Sequence, residues 1–177
     1  LEIKGGLSHG WLSEQDTYVT ESNIFVDKVK LHHKFIGLRV GGCLPVTLAY
    51  EMHHAAQWGG YKNPLLSGGP TIDYGNRWKD FWNVFFFQSG GISLSDQLNA
   101  QGNHIGFQEI TLAYHRNGWQ ARVYWQSIFE DMSAAFIGFG MNAADGLWGL
   151  NIQQSQWPFI NEITYEFLNT TSQSGPI

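Results

Sequence analysis

Three acidic residues near one long connection are the first candidates for chemistry in this sequence. Glu130 and Asp131 are adjacent, and Asp145 follows a run of small residues. Two carboxylates can serve as the acid and base of a glycoside hydrolase, provided that their carboxyl groups lie about 5–9 Å apart across a cleft. Adjacent loop acids do not establish that spacing, and a solvated or cation-binding loop accounts for them more simply. We therefore predict no catalytic residue and no enzyme.

Histidine is the second residue type that could do chemistry. The sequence has 7, including the adjacent pairs His32-His33 and His53-His54. Adjacent residues of a β-strand point to opposite faces, so neither pair can chelate one metal ion. A cross-strand site of His33 with His53 stays open, but no spacing typical of a zinc site accompanies it. Since there is also no nucleophile elbow, P-loop or dinucleotide fingerprint, we expect no metal and no cofactor.

Charged residues at alternating positions form a third set of candidates. They fall on the polar side of predicted strands and comprise Arg39, Glu51, Arg122, Glu162 and Glu166. Such a row could line a polar lumen that binds sugar hydroxyl groups or passes solutes. The alternative is a structural network of ion pairs that fills a narrow barrel. As polysaccharide contacts we select from the acidic and basic candidates Glu51, Arg122, Glu130, Asp131 and Glu166.

Tryptophan side chains are the remaining ligand candidates, because a flat indole face suits the C–H groups of a sugar ring. Four of them could stack on sugar rings: Trp58, Trp78, Trp82 and Trp148. Trp78 and Trp82 on a predicted loop helix are the better candidates, although packing into the lumen accounts for these two more simply. As polysaccharide contacts we select Trp78, Trp82 and Trp148. A second interpretation applies to tryptophans at predicted strand ends, which would form an interfacial aromatic girdle. These are Trp58, Trp119, Trp125 and Trp157.

Two strands joined by a tight turn are the clearest elements available to position these side chains. In the run from Phe107 to Ile128, apolar and polar residues alternate on both sides of Asn117-Gly118. That dipeptide favours the positive φ angles of a two-residue hairpin turn. The apolar face of such a hairpin points to a core in a soluble sandwich, but to lipid in an outer-membrane barrel.

The same alternation predicts five further strands, so that the chain has about seven. Their ranges are 1–12, 29–40, 44–58, 146–154 and 159–169. Between the third strand and the hairpin, the aromatic residues Trp78, Phe81, Trp82 and Phe85 recur at helical spacing, with Asn76 placed to cap the helix. These aromatic side chains must be buried against something, and the wall or mouth of a barrel is the expected partner.

The lengths of the connections give independent support for a barrel. The predicted reversals at 41–42, 116–118 and 154–158 are short, whereas those at 13–28, 59–103 and 129–144 are long. Strict alternation of short and long connections is typical of outer-membrane barrels, which have tight periplasmic turns and long external loops. The alternation requires that the aromatic segment near Phe85 is a helix and not a strand.

Composition restricts the class further. Only 14% of the residues are charged and 15% are aromatic, whereas soluble domains are roughly 25% charged. No apolar stretch approaches the ~18 residues of a membrane helix. A net charge of -5 with scattered Lys and Arg offers no basic patch, which argues against a nucleic-acid partner. Cys43, the single cysteine, cannot form an internal disulfide.

Several segments together resemble the C-terminal half of the capsule assembly protein Wzi family, in the family's order and over nearly the whole chain. They are Lys34 to Arg39, Tyr50 to Gly60, Phe129 to Ser133, Asp145 to Gly149, and Tyr165 to Leu168 leading to Gln173-Ser174-Gly175. The resemblance implies an outer-membrane β-barrel of Gram-negative bacteria, closed externally by helical and loop segments. It also implies a lectin-like, non-catalytic role in holding capsular polysaccharide at the cell surface.

We therefore predict an all-β, antiparallel up-and-down transmembrane β-barrel with a short helix in a long external loop. Because about seven strands are fewer than the family's barrel needs, residues 1–177 are expected to be one domain, the C-terminal portion of a larger barrel. The expected partners are capsular or surface polysaccharide and outer-membrane lipid. Two alternatives from other classes are an outer-membrane channel for solutes and a soluble β-sandwich glycan hydrolase.

Overall fold

The computed structural model of this chain describes residues 1–12, 26, 28–62, 70–92, 100–130, 145–156 and 158–171. Its elements within these ranges, in chain order, are β1 (Glu2–Trp11), β2 (Lys30–Val40), β3 (Val46–Trp58), β4 (Tyr61–Lys62), β5 (Ile72–Asp73), α1 (Trp78–Phe85), β6 (Asn103–Arg116), β7 (Trp119–Glu130), β8 (Gly146–Gln154) and β9 (Glu162–Asn169).

Seven of the strands form one antiparallel sheet, in the order β1-β2-β3-β6-β7-β8-β9. Each strand pairs with its sequence neighbours, apart from the excursion between β3 and β6 that carries α1 and the small β4-β5 pair. The all-β prediction is confirmed, and so are the seven main strands. The sheet is open, because β1 and β9 lie at its two edges and do not pair with each other among the described residues.

The register gives the sheet two chemically different faces. One row of partners crosses all seven strands on what we call the apolar face: Ile3, Leu38, Tyr50, Ile110, Trp125, Trp148 and Phe167. The next row, on the polar face, consists of Glu2, Arg39, Ala49, Thr111, Tyr124, Gly149 and Glu166. Since the side-chain period of a strand is two, the unbroken register keeps these sets apart over the whole sheet.

The predicted hairpin is confirmed in its turn as well as in its strands. β6 and β7 are joined by Asn117 and Gly118, whose φ angles are 52° and 80°. Both are left-handed, as a type I′ turn requires, and glycine and asparagine adopt this conformation at the lowest cost. This turn sets Leu112 opposite Val123 on the apolar face.

The predicted helix is present and contains Trp78, Phe81, Trp82 and Phe85, but it has a different N-terminal cap. Arg77 occupies the cap position in extended conformation, and its backbone N–H donates to Asp80 Oδ2 at 2.9 Å. The expected cap, Asn76, lies one residue too early and bonds elsewhere: its Oδ1 accepts from Lys30 Nζ at 2.8 Å. Asn76 therefore ties the start of the helix to β2.

Helix α1 packs on the apolar face of the sheet. The Phe81 ring contacts His9, His32 and Trp58, which share that face with Leu38 and Tyr50 by strand parity. The wall is thus the partner, as expected, but the helix does not plug the polar side. The interpretation that Trp78 and Trp82 pack into a polar lumen is not supported, because α1 lies on the apolar face.

The helix divides the apolar face into two parts. The covered zone lies under α1 near the long connections, and its side chains are His9, His32, Lys34, His54, Ala56, Trp58, His104 and Phe129. The bare band lies toward the short turns. It comprises Ile3, Ile36, Leu38, Val40, Val46, Leu48, Tyr50, Met52, Ile110, Leu112, Tyr114, Val123, Trp125, Trp148, Leu150, Ile163, Tyr165 and Phe167.

The alternation of short and long connections is confirmed for the main sheet. Short connections join β2 to β3, β6 to β7 and β8 to β9, and the segment near Phe85 is helical, as the alternation requires. No helix in the part of the chain that the structure describes is long and apolar enough to span a membrane.

Candidate functional site

A network of charged groups on the polar face is the most organised set of candidate site residues. Lys4 Nζ donates to Glu51 Oε2 at 2.8 Å across β2, and Glu51 Oε1 lies 2.7 Å from His53 Nε2. Between them lies Gly37, where a Cβ would come within 2.6 Å of the Lys4 side chain. The glycine therefore leaves the path over which the ammonium group reaches the carboxylate.

A similar contact across a glycine occurs at the other end of the sheet. Tyr124 on β7 donates its hydroxyl to Glu166 on β9, and its ring lies over Gly149 of the intervening strand β8. Arg122 places its guanidinium 4.5 Å from the centre of the Tyr124 ring. A glycine on a central strand thus allows two outer strands to share one polar contact in each case.

Two cavities open along this face. The larger, of about 570 Å³, is lined by polar groups including Arg39, His115, Gln120, Asn151 and Glu162. The smaller, of about 250 Å³, contains Lys4, Glu51 and Glu109. Arg39, Thr47 and Arg122 line both cavities. Guanidinium, amide and carboxylate groups in a cavity of this size can hydrogen-bond to a ligand rich in hydroxyl groups.

His33 and His53 do meet on the polar face, as the cross-strand hypothesis required. His33 Nε2 lies 3.3 Å from His53 Nδ1, and the His53 ring stacks between Phe35 and Phe107. Among the described residues, no group of three or more His, Cys, Asp or Glu side chains is arranged to hold a metal ion. The two imidazoles belong to a stacked aromatic row.

The structure separates the predicted polysaccharide contacts into two groups. Glu51, Arg122 and Glu166 share the polar face, whereas Trp148 lies opposite Trp125 on the bare band. Trp78 and Trp82 are exposed on α1, on the apolar side. Glu130 is exposed at the end of β7, and Asp131 lies outside the described residues. The predicted polysaccharide contacts therefore do not form a single site.

The tryptophans assigned to an interfacial girdle also differ in position. Trp119 is partly exposed near the turn, and Trp125 lies in the bare band 5.8 Å from the Trp148 ring centre. Trp58, in contrast, is buried under the helix, with Lys30 Nζ 4.5 Å from the centre of its ring. The girdle interpretation is therefore wrong for Trp58, and Trp157 is outside the described residues.

A cluster of buried histidines in the covered zone was not found by sequence reasoning. His54 Nε2 lies 2.8 Å from His104 Nδ1, and His104 Nε2 donates to the Gln101 carbonyl at 2.8 Å. His32 is fully buried, and neither of its ring nitrogens has a hydrogen-bond partner. The sequence did contain a signal for this cluster, because these histidines occupy positions where the strand alternation predicts apolar residues.

Burial dominates the electrostatics of this cluster, which lies outside the bare band. It lowers the pKa of His32 to about 4 and that of His54 to about 3, and the nearby Lys34 charge lowers both pKa values further. Burial also lowers the pKa of Lys34 to about 8. The Lys34 ammonium donates to the Phe85 carbonyl and lies 4.3 Å from the centre of the Phe85 ring. Lys34 thus ties the last turn of α1 to the sheet.

Asp80 stabilises the opposite end of the helix. Besides the Arg77 backbone N–H, its buried carboxylate accepts from Gln101 Nε2 at 3.2 Å. Burial would raise the pKa of Asp80, but hydrogen bonds from Arg77 and Gln101 outweigh it and hold the pKa below its usual value. Asp80 is therefore a charged group that links α1 to the segment before β6.

Replacing Asp80 by alanine is expected to weaken the docking of α1 by about 1–3 kcal/mol, because Gln101 and the Arg77 backbone lose their acceptor. Hydrogen exchange of the helix amides measures this effect. Lys79→Ala, an exposed neighbour, is the control and should change the stability by less than about 0.5 kcal/mol. Equal protection in the two variants would contradict the role of Asp80.

The two faces thus differ in the contacts they offer. The polar face presents hydrogen-bonding groups, and the apolar face presents exposed apolar side chains. No family model, curated protein or solved structure matches this chain.

Proposed function

We propose that this chain forms part of the wall of an outer-membrane β-barrel that holds surface polysaccharide without catalysing a reaction. The observation that carries the membrane part is the bare band. Leu112, Val123 and Ile163 are 51%, 49% and 51% exposed, although each belongs to a row of apolar side chains. A contiguous apolar surface of this extent indicates a partner that is itself apolar.

The dimensions of the bare band fit a bilayer. On β3 the apolar row runs from Val46 to Met52, which at ~3.4 Å per residue is roughly 20 Å of strand. Outer-membrane barrels present an apolar band about 25 Å tall. The band also lies at the end of the sheet with the short turns, and the helix-bearing excursion lies at the other end. Tight turns on one side and long loops on the other are typical of these barrels.

A soluble β-sandwich fits less well. It would need a second layer of protein on the bare band, and among the described residues the only layer on the apolar face is α1, which packs on the covered zone. A lipid environment requires no such layer. The open sheet is then one section of a barrel, and its polar face lines the lumen.

The polysaccharide part of the proposal is supported by the resemblance to the Wzi family and by the chemistry of the polar face. Arg122 lies where the two cavities meet, with carboxylates, amides and a phenol around it. Planar polar groups that hydrogen-bond to one another can also accept and donate to sugar hydroxyl groups. We therefore assign the glycan contacts to Glu51, Arg122 and Glu166.

Arg122→Ala is expected to weaken binding of the surface polysaccharide by about 10-fold or more, because a hydrogen bond to a charged group contributes ~1.5–3 kcal/mol. The measurement is binding of the purified polysaccharide to the full-length protein in detergent. Arg116→Ala is the matched control, since Arg116 lies on the same hairpin but on the other face by strand parity. Equal weakening by both variants, or by neither, would contradict the assignment.

An outer-membrane channel is the second candidate, and one observation favours it. The helix leaves the polar cavities uncovered, because it packs on the opposite face. Planar-bilayer conductance of the full-length protein distinguishes the two functions. Polysaccharide binding without stable conductance steps supports the proposal, whereas conductance without polysaccharide binding supports the channel.

A further inference from the structure

We infer that α1 is an interfacial helix, which lies in the headgroup layer of the membrane and inserts an aromatic ridge among lipids with anionic headgroups. The ridge consists of Trp78, Trp82 and Phe86. This inference rests on the proposed membrane location of the bare band, and it gives the two tryptophans a different partner from the sugar predicted for them.

The side of the sheet on which α1 packs sets the direction of the ridge. The inner side of the helix, with Phe81 and Val84, covers His32, Ala56 and Trp58 on the apolar face. The outer side of the helix therefore points away from the sheet in the same direction as the bare band. If lipid surrounds the band, the ridge faces the membrane and not the lumen.

The composition of the ridge suits a membrane interface. Trp78, Trp82 and Phe86 follow one another at four-residue intervals and are 80%, 49% and 59% exposed. The Trp82 and Phe86 rings stack with centres 5.7 Å apart. Three large aromatic side chains on the outside of one short helix are costly in water. Tryptophan and phenylalanine on one side of an amphipathic helix favour the boundary between headgroups and acyl chains.

The charges of the helix fit an anionic partner. Arg77 and Lys79 are exposed beside the ridge, whereas the one acidic residue of α1, Asp80, is buried on the inner side. Arg77 Nε also lies 3.2 Å from Asp80 Oδ2, so this ion pair offsets the charge of Arg77 in part. Residues 77–85 keep a net charge of +1, carried at the surface by Lys79, in a chain whose net charge is -5. Basic residues next to an aromatic ridge attract anionic headgroups.

A pocket connects the helix to the bare band. It has a volume of about 240 Å³ and is lined almost entirely by apolar atoms of residues that include Leu7, Ile36, Met52 and Phe85. Ile36 and Met52 belong to the bare band, and Phe85 belongs to the last turn of α1. The apolar surface thus continues from the band to the underside of the helix, with room for part of an acyl chain.

Depth-dependent fluorescence quenching tests this inference. The full-length protein is reconstituted in phosphatidylcholine vesicles that contain phosphatidylglycerol, with bromine atoms at either a shallow or a deep position of the acyl chains. Trp78→Phe with Trp82→Phe is expected to reduce the shallow quenching. Trp125→Phe with Trp148→Phe, in the bare band, is the matched control and should remove deep quenching instead.

Each outcome separates the inference from the proposed function. Deep quenching of Trp125 and Trp148 without shallow quenching of Trp78 and Trp82 overturns the inference and leaves the barrel in place. Absence of both kinds of quenching defeats the barrel as well. Polysaccharide that shields Trp78 and Trp82 from aqueous iodide, when brominated lipid has no effect on them, assigns the ridge to a sugar. Unchanged shallow quenching without phosphatidylglycerol overturns the anionic specificity.

Discussion

Val123→Arg is expected to destabilise the barrel in a bilayer by about 2–4 kcal/mol, the cost of placing an arginine on a lipid-facing strand near the midplane. Val123 lies between Leu112 and Leu150 in the middle of the bare band. In water the same substitution at a half-exposed position would change the stability by no more than about 0.5 kcal/mol. The size of the loss of stability therefore shows whether lipid or water contacts the apolar face.

The matched control is Gln126→Arg on the polar face of the same strand. Gln126 Nε2 lies 3.5 Å from Glu109 Oε2, so an arginine there gains a carboxylate partner. Unfolding of both variants in urea from phospholipid vesicles measures the difference. A wild-type stability for Val123→Arg, or an equal loss for the two variants, would show that the bare band does not face lipid.

The strands could be predicted from the sequence, because the alternation of apolar and polar residues is a strong signal when the register stays unbroken. Ile110, Leu112, Val123 and Trp125 alternate with polar residues, and the Asn117-Gly118 turn fixes how they pair. The presence of the helix followed from the spacing of Trp78 to Phe85 in the same way. Each of these predictions depends on residues close together in the chain.

The side of the sheet that α1 covers could not be predicted in this way. Amphipathicity shows that a helix must pack on something, but not on which of two faces, because that choice depends on long-range contacts. The contacts that set it are His32 with Phe81 and the Lys34 ammonium with the Phe85 carbonyl. Both strand residues, His32 and Lys34, interrupt a row of apolar side chains. Polar residues at such positions were therefore the signal that could have indicated the face that the helix covers.

The choice of candidate polysaccharide contacts by residue type did not anticipate this geometry for the same reason. Residue type placed Trp78 and Trp82 together with Glu51 and Arg122, since all of them suit a sugar. In the fold they lie on opposite sides of one sheet, and residue type alone does not indicate the side. Chemistry that is shared between residues is therefore weaker evidence for a common site than strand parity.

Acidification is expected to release α1 from the sheet. The pKa values of His32 and His54 are about 4 and about 3 when the helix is docked, whereas an exposed histidine has a pKa of about 6.5. As the pH falls below ~6.5, the released form takes up protons that the docked form does not bind, so docking loses stability until the docked pKa values are reached. At pH 4.5 each histidine should weaken docking on the order of 10²-fold.

Hydrogen exchange of the α1 amides between pH 7.5 and 4.5, corrected for intrinsic exchange, measures this loss. The groups that face the two imidazoles are Lys34, His9 and His104, and all of them are neutral or positive, so no carboxylate offsets the new charge. His32→Leu with His54→Leu should remove most of the pH dependence. His33→Leu, on the next residue but the opposite face, should keep it. Docking that is equally stable at both pH values in the wild type would show that these imidazoles are not buried under the helix.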